Sequence, residues 1–323
     1  MAPATEMPVE AQGLSVAYPG PFGPVTVLHG IDLALGVGER LGLVGESGSG
    51  KSTVALALAA LLPPGARVTA ERLAVAGEDP RALPAKALKR YRGGSVGMVF
   101  QDPMTSLNPV RTVGSILMES VRRHTGCDAE SARAKALAAL TAVGIPAPEA
   151  RLAAYPHQLS GGLRQRCVIA LALVNDPRVI VADEPTTALD ATTQAQILDL
   201  LRQRSEGRAL ILITHNLGAA ADLTDRIAVM YAGRVVETGP TAAVLAAPRH
   251  PYTAGLLAAV PRLGLGRVPP KPIPGAPPRP DELDGGCPFA PRCDRRTARC
   301  GEMPPLSGHG HAAACWHPLE GGA

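Results

Sequence analysis

Gly45-Glu46-Ser47-Gly48-Ser49-Gly50-Lys51-Ser52 lies between an apolar run, Arg40 to Val44, and a helix-like run, Thr53 to Leu62. A strand, a glycine-rich loop and a helix in that order are the setting in which G-x-x-x-x-G-K-[ST] binds nucleotide phosphates. The glycines let successive backbone N–H groups turn toward one anion, and the helix adds its positive N-terminal end. Lys51 supplies a point charge for the β- and γ-phosphates, and the Ser52 hydroxyl is a Mg²⁺ ligand. A plain glycine-rich turn is the competing reading. The full set of fixed positions, in the right context, favours a site for ATP or GTP.

Composition bounds what the nucleotide serves. The chain has 323 residues, room for one large domain or two modest ones. Hydrophobic residues make up 46% and aromatics only 3%, so the core must be built from Ala, Leu and Val. A net charge of +4, with both signs mixed along the chain, argues against nucleic acid, which needs a concentrated basic face. No apolar run approaches the ~20 residues of a membrane span. The first residues lack a basic-then-apolar signal. The expectation is a soluble, intracellular protein, which leaves docking on a membrane protein open.

Short apolar runs at Gly13 to Ala17, Val25 to Leu28, Leu33 and Leu41 to Val44 read as strands separated by Gly and Pro. Ser95 to Phe100 reads as another strand. Residues 112–174 read as mostly helical, including Ala129 to Val143. Strand Val179 to Ala182, helix Thr192 to Arg204, strand Ala209 to Ile213, and a hairpin through Gly233 joining Ile227 to Tyr231 with Val235-Val236 follow. Strands alternating with helices imply an α/β core, and the long helical insert implies a helical subdomain. After His250 the pattern changes: Pro261 to Pro280 holds eight prolines and reads as an extended strap. The expected division is 1–250 and 251–323.

Two further stretches carry chemistry. Val179 to Ala182 runs into Asp183-Glu184. A buried strand ending there can aim Asp183 at the Mg²⁺ of the phosphate loop and place Glu184 to polarise a water; a helix cap over Asp183 to Thr186 is the alternative. Leu159-Ser160-Gly161-Gly162 precedes the helix-like run Leu163 to Val174. Ser160 reads as its N-cap. Two glycines weaken a first helical turn, which makes sense if a ligand approaches that backbone.

Phosphate loop, Leu-Ser-Gly-Gly, the Asp-Glu strand end, Ala188-Leu189-Asp190 and His215, in this order, resemble an ATP-binding cassette (ABC) ATPase over residues 10–250. The resemblance implies a RecA-like α/β core, an antiparallel β subdomain and a helical signature subdomain. It makes residues 45–53, from Gly45, Glu46, Ser47, Gly48, Ser49 and Gly50 through Lys51, Ser52 and Thr53, the phosphate cradle. Tyr18 matches the aromatic that stacks on adenine. Gln101 matches the glutamine that senses Mg²⁺ and the attacking water, Ser52 and Asp183 the other Mg²⁺ positions, Glu184 the catalytic base, and His215 the switch histidine. Ser160, Gly161 and Gly162 match the signature that caps ATP held by a second cassette, and Asp190 the aspartate that communicates across that dimer. Leu163 stands where the family usually has Gln, and Asn216 where Asp often follows the histidine. Asp102 to Pro109 matches the loop that faces the coupling helices of membrane subunits.

His250-Pro251-Tyr252-Thr253, Pro-Ile-Pro-Gly at 272–275 and Cys287-Pro288-Phe289-Ala290-Pro291-Arg292-Cys293 resemble the C-terminal extension of oligopeptide/dipeptide importer ATPases. That resemblance implies peptide import powered by ATP. It implies a paralogous ATPase completing a heterodimer, two membrane permeases, an extracytoplasmic peptide-binding protein, and a peripheral place on the cytoplasmic face of the inner membrane. The alternatives are an importer ATPase for another solute such as nickel, or a soluble ABC protein acting on nucleic acid or ribosomes. Cys287, Cys293, Cys300 and Cys315 are separated by five, six and fourteen residues. Four thiolates suit zinc or an iron–sulfur cluster. The close C-x₂₋₄-C pair of structural zinc is absent. Some ATPases of this importer group carry a [4Fe–4S] cluster on such cysteines, which favours the cluster; His309, His311 and His317 are the residues that could complete zinc.

Overall fold

The computed structural model describes residues 7–260 and 271–320. Its core is a seven-stranded sheet in the order β11-β10-β9-β3-β8-β7-β6. The strands are β3 (Arg40–Val44), β6 (Val96–Val99), β7 (Val179–Asp183), β8 (Ala209–Thr214), β9 (Arg226–Tyr231), β10 (Arg234–Pro240) and β11 (Ala312–Ala313). The five strands β9, β3, β8, β7 and β6 run parallel. Every residue of β7 and β8 is buried, as expected of continuous apolar strands covered on both faces. Each buried Leu, Ile or Val contributes about 1.5–3 kcal/mol, against about 0–1 kcal/mol for a surface ion pair. The sheet is therefore held by its core, and rim pairs such as Arg40–Asp225 contribute little.

Helices cover the sheet: α1 (Lys51–Leu58), α8 (Ala191–Arg204), α9 (Leu217–Leu223) and α10 (Thr241–Ala246), with the short α2 (Ala85–Arg90) leading toward β6. The sequence runs α1 on to Leu62, but it stops at Leu58 and Ala60 takes a left-handed φ of 56°, ahead of Pro63-Pro64.

The antiparallel subdomain differs more from the sequence reading. Two long strands, β1 (Val9–Gly20) and β2 (Gly23–Leu35), replace the expected short pieces. They pair along their whole length, with register shifts between Ala11 and Val16, where Gly13 and Gly30 take positive φ. The glycines mark bulges inside strands, not strand ends. Two strands without a sequence signal, β4 (Arg67–Thr69) and β5 (Arg72–Val75), pair with β1.

The helical subdomain comprises α3 (Pro103–Ser106), α4 (Val113–Thr125), α5 (Ala129–Ala142), α6 (Pro148–Leu152) and α7 (Gly161–Leu173). Its apolar faces share one cluster with the outer strands of the sheet, including Val99, Ile180 and Leu210.

The described residues beyond 250 dock on the core. Helix α11 (Pro251–Ala258) begins at His250, and β11 pairs with β10 through Glu237↔Ala313 and Thr238↔Ala312. Glu237, fully buried, accepts from the backbone N–H of Arg249 (2.7 Å) and of His250 (2.8 Å) and pairs with His311 Nε2 (2.6 Å). Half of the expected proline strap, residues 261–270, lies outside the described residues; residues 271–279 form neither helix nor strand.

Candidate active site

Parallel strands end on one side, and four of these strand ends carry the residues singled out above. Along the sheet, β3 leads into the phosphate loop, β8 into His215, β7 into Glu184, and β6 into Gln101.

In the loop, Gly45 takes φ 153°, and a β-carbon there would lie 2.2 Å from the Met230 carbonyl oxygen. Only glycine fits at this point, where the chain leaves β3. Gly50, φ 98°, caps α1. Lys51 is 5% exposed, and its ammonium donates to the carbonyls of Gly45 (2.9 Å) and Glu46 (2.8 Å) and approaches Ser49 Oγ (3.3 Å). Burial pulls its pKa down, opposed by the carboxylates of Glu184, Asp183 and Glu46. Ser47, Gly48 and Ser52 lie on the exposed side of the loop and Thr53 is half-buried. Ser49 accepts, through its carbonyl, the Gly233 N–H (3.0 Å), while Gly233 in turn binds His29 of β2 (3.0 Å). The antiparallel subdomain is thereby tied to the loop. Tyr18, on β1 of that subdomain, is half-buried against its core.

Three elements far apart in sequence meet at Glu184. His215 Nδ1 lies 3.0 Å from Glu184 Oε1, Thr187 Oγ1 donates to Oε2 (2.8 Å), and Gln101 Nε2 reaches Oε2 at 3.5 Å. Glu184 holds a left-handed φ of 46°, a strained position for a side chain of its size. Its N–H is fixed to the Ile213 carbonyl of β8 (2.9 Å). Burial pushes this carboxyl up, but hydrogen bonds from His215 and Thr187 and the charges of His215 and Lys51 outweigh it, leaving the group below its ordinary value. Glu184 is thus held ionised and aimed. The alternative helix cap is not formed, since the next helix, α8, starts at Ala191. Thr187 was not singled out from the sequence; only its i+3 spacing from Glu184 hints at the contact.

Asp183 differs from its neighbour. It is 6% exposed, and burial raises its pKa despite a hydrogen bond from Ser52. Its Oδ1 has no hydrogen-bond partner. A buried carboxylate oxygen without a partner is costly, and beside a serine hydroxyl it is chemically suited to a hard divalent cation with oxygen ligands.

Ser160 caps α7, accepting from the Leu163 N–H (3.4 Å). A β-carbon on Gly161 would make ordinary contact with Leu189 (3.7 Å), whereas one on Gly162 would press on Thr193 Cγ2 (2.9 Å). Packing within the chain therefore accounts for Gly162, beyond any ligand. Asp190 caps α8, accepting from Thr193 N–H (3.0 Å) and Oγ1 (2.7 Å). The contacts found here for Ser160, Gly161, Gly162 and Asp190 are with α7 and α8, not with the phosphate loop.

The family model described as ABC transporter matches residues 28–187, and that described as Oligopeptide/dipeptide transporter, C-terminal region, matches residues 236–300. The chain is 45% identical over 317 residues to a dipeptide transport ATP-binding protein, DppD, of Bacillus subtilis, covering 96% of this chain and 95% of that one. It is 43% identical to the oligopeptide transport ATP-binding protein OppD of Haemophilus influenzae, covering 97% and 98%. This chain belongs to the ABC transporter ATPases, in the oligopeptide/dipeptide branch. Among solved structures it resembles the ATP-binding cassette MJ0796, described as a dimeric post-hydrolysis state bound to ADP and Pi. The TM-score is 0.61 at 29% identity, covering 72% of this chain and 98% of that chain.

As an ABC ATPase the chain hydrolyses ATP, and Mg²⁺ is the expected metal; the unpartnered Asp183 oxygen beside Ser52 fits it. Both departures from the family pattern have local reasons. Leu163 packs its side chain against the helical core. Asn216 caps α9, its Oδ1 accepting from Gly218 (2.9 Å) and Ala219 (3.3 Å). No helix among the described residues is long and apolar enough to cross a membrane.

In the C-terminal segment Cys287, Cys293, Cys300 and Cys315 line one small cavity with His250, Phe289 and His317. Burial, with neighbouring thiols adding to it, raises the thiols of Cys287, Cys293 and Cys315. Among the described residues no group of three or more His, Cys, Asp or Glu side chains is placed to hold a metal ion, so the structure does not supply the expected ligand set. His311 Nε2 pairs with Glu237 (2.6 Å), and His311 is not among the residues that line the cysteine cavity. His309 is exposed, and His317 bonds Thr297 Oγ1 (2.7 Å).

Replacing Asp183 by Asn removes a buried charge one of whose oxygens lacks a hydrogen-bond partner. The nucleotide-free variant is expected to melt at or above the wild-type temperature, while the thermal shift induced by MgATP shrinks markedly. A variant whose MgATP shift equals that of wild type would contradict the metal assignment.

Proposed function

We propose that this ABC ATPase powers import of oligopeptides or dipeptides through a membrane transporter, working as one half of an ATP-clamped dimer. The observation that carries the hydrolytic part is the convergence of His215, Gln101 and Thr187 on Glu184. The names of the dipeptide and oligopeptide relatives support peptide over another solute such as nickel.

In this reading ATP lies along residues 45–53, with Tyr18 stacked on adenine. Lys51 leaves its carbonyl partners for the β- and γ-phosphates. Ser52, Asp183 and Gln101 would hold Mg²⁺, which would neutralise phosphate charge. Glu184, ionised and locked by Thr187, orients and polarises the attacking water. His215 spans Glu184 and the γ-phosphate, so it senses whether that phosphate is still attached. Ser160, Gly161 and Gly162 of a second cassette cap the γ-phosphate at the N-terminus of α7, and Asp190 relays the state of one site to the other. The dimeric state named for MJ0796 supports this pairing. The second cassette is a paralogue, giving a heterodimer.

Two permeases and an extracytoplasmic peptide-binding protein complete the assembly, with this chain peripheral on the cytoplasmic face. Phe100, Met104 of α3, Val110 and Tyr155 are exposed apolar side chains in or beside the helical subdomain, of the kind that suits contact with a membrane subunit's helix. The functional division at residue 250 belongs to the same reading: residues 1–250 act as motor and 251–323 as an attached regulatory and bracing segment.

The four cysteines would be the ligands of a [4Fe–4S] cluster, with zinc as the alternative. Tetrahedral zinc with bonds of about 2.3 Å draws sulfurs to about 3.8 Å of one another. The four thiols line one small cavity, and four thiolates are a donor set that an iron–sulfur cluster accepts. Its part is to brace a segment with little core of its own.

Glu184→Gln should keep ATP affinity, accumulate closed dimers and lose at least about 10²-fold in turnover; unimpaired hydrolysis would refute the assignment. Protein purified without oxygen should absorb broadly in the visible and lose that colour in Cys293→Ser. A colourless wild type with one zinc per chain would replace the cluster by zinc.

A further inference from the structure

Glu46 is an oddity in a loop built to hold phosphates: its carboxylate repels what the loop attracts. The structure deals with this through the C-terminal segment. Arg292 donates from Nη1 to Glu46 Oε2 (2.7 Å) and from Nη2 to Oε1 (3.1 Å), a two-pronged pair. The Arg292 side chain is only 5% exposed. The guanidinium is itself fixed from behind. Nε donates to the Pro274 carbonyl (2.8 Å), Nη1 to the Tyr231 hydroxyl (3.3 Å), and the group lies 5.8 Å from the centre of the Tyr231 ring.

A second contact reaches the same residue. The Glu46 N–H donates to the hydroxyl of Tyr252, a fully buried side chain of α11, at 2.7 Å. Tyr252, Tyr231 and Phe289 pack as one aromatic group with ring centres 4.6 to 5.4 Å apart. The Glu46 carbonyl meanwhile accepts from Lys51. Every polar group of Glu46 is spoken for, two of the three by residues after position 250.

We propose that Arg292 is a positioning residue of the ATP site: it neutralises Glu46 and turns it away from the phosphate cradle, while Tyr252 fixes the Glu46 amide. ATP affinity therefore depends on a docked C-terminal segment. This rests on residues 45–53 being the phosphate cradle. Arg292 acts through Glu46, which takes two of its donors. Its position next to Cys293 makes the cysteine-lined cavity and the cradle two ends of one short connection.

The test is MgATP binding to the full chain, by nucleotide titration, in wild type, Arg292→Gln, Glu46→Gln, the double variant and Lys51→Ala. Arg292→Gln leaves Glu46 uncompensated and should weaken MgATP about tenfold, equivalent to about 1.4 kcal/mol. Adding Glu46→Gln to it should restore affinity to within about threefold of wild type, because the repelling charge is gone. A bracing role for Arg292 alone gives no such rescue, so a double variant as weak as Arg292→Gln overturns the proposal. So does an Arg292→Gln protein that binds like wild type while Lys51→Ala binds poorly, and in that case the cradle reading stands. If Lys51→Ala also binds like wild type, the cradle reading falls and the proposal with it. Should Arg292→Gln fail to fold, Arg292→Lys keeps the charge without the two-pronged geometry. It is expected to lie between wild type and the tenfold loss, and wild-type affinity in it at unchanged salt sensitivity counts against the proposal.

Discussion

A parallel sheet delivers every strand to the same rim, and that constraint organises the site. β3, β8, β7 and β6 are neighbours, so Lys51, His215, Glu184 and Gln101 fall side by side although 164 positions separate the first from the second. The buried strands leave little freedom at their ends. Glu184 is held in a left-handed conformation, its amide tied to β8 and its carboxylate shared by three partners. Rigid placement of this kind is what a hydrolytic site needs, since a carboxylate that wanders cannot polarise one water.

The two acids at the end of β7 illustrate how environment divides labour. Asp183 is buried with an oxygen lacking a partner, and Glu184 is stabilised as an anion by donors on both oxygens. In the proposed mechanism the first serves a cation and the second a water. Asp183 is the last residue of β7 and Glu184 follows it with a left-handed φ of 46°, so the same chemical group at neighbouring positions meets two different surroundings.

The phosphate loop, the Asp-Glu strand end and the signature turn were legible because each couples a residue type to a local element: glycines to a turn, apolar runs to strands, Ser160 to a helix start. The antiparallel subdomain was less legible. Gly13 and Gly30 look like strand breaks in one dimension and are bulges in three, and β4 and β5 are too short to show a period. Least legible was the docking of the described residues beyond 250. Arg292–Glu46 spans 246 positions and β11 is two residues long, so neither leaves a periodic trace. The stretch Cys287 to Cys293 draws the eye to its cysteines, whereas the arginine between them makes the contact with the loop. Likewise Gly162 reads as ligand clearance and proves to be needed by Thr193 as well.

The direct test of the whole account is a high-resolution structure of the assembled transporter with MgATP in the Glu184→Gln background. The account predicts one γ-phosphate bounded by Lys51, His215 and Gln101 of this chain and by the signature serine of its partner, within about 3 Å. It predicts Ser160 and Gly162 of this chain at the partner's nucleotide in turn. Nucleotide bound elsewhere than residues 45–53, or Ser160 and Gly162 remote from any phosphate, would contradict it.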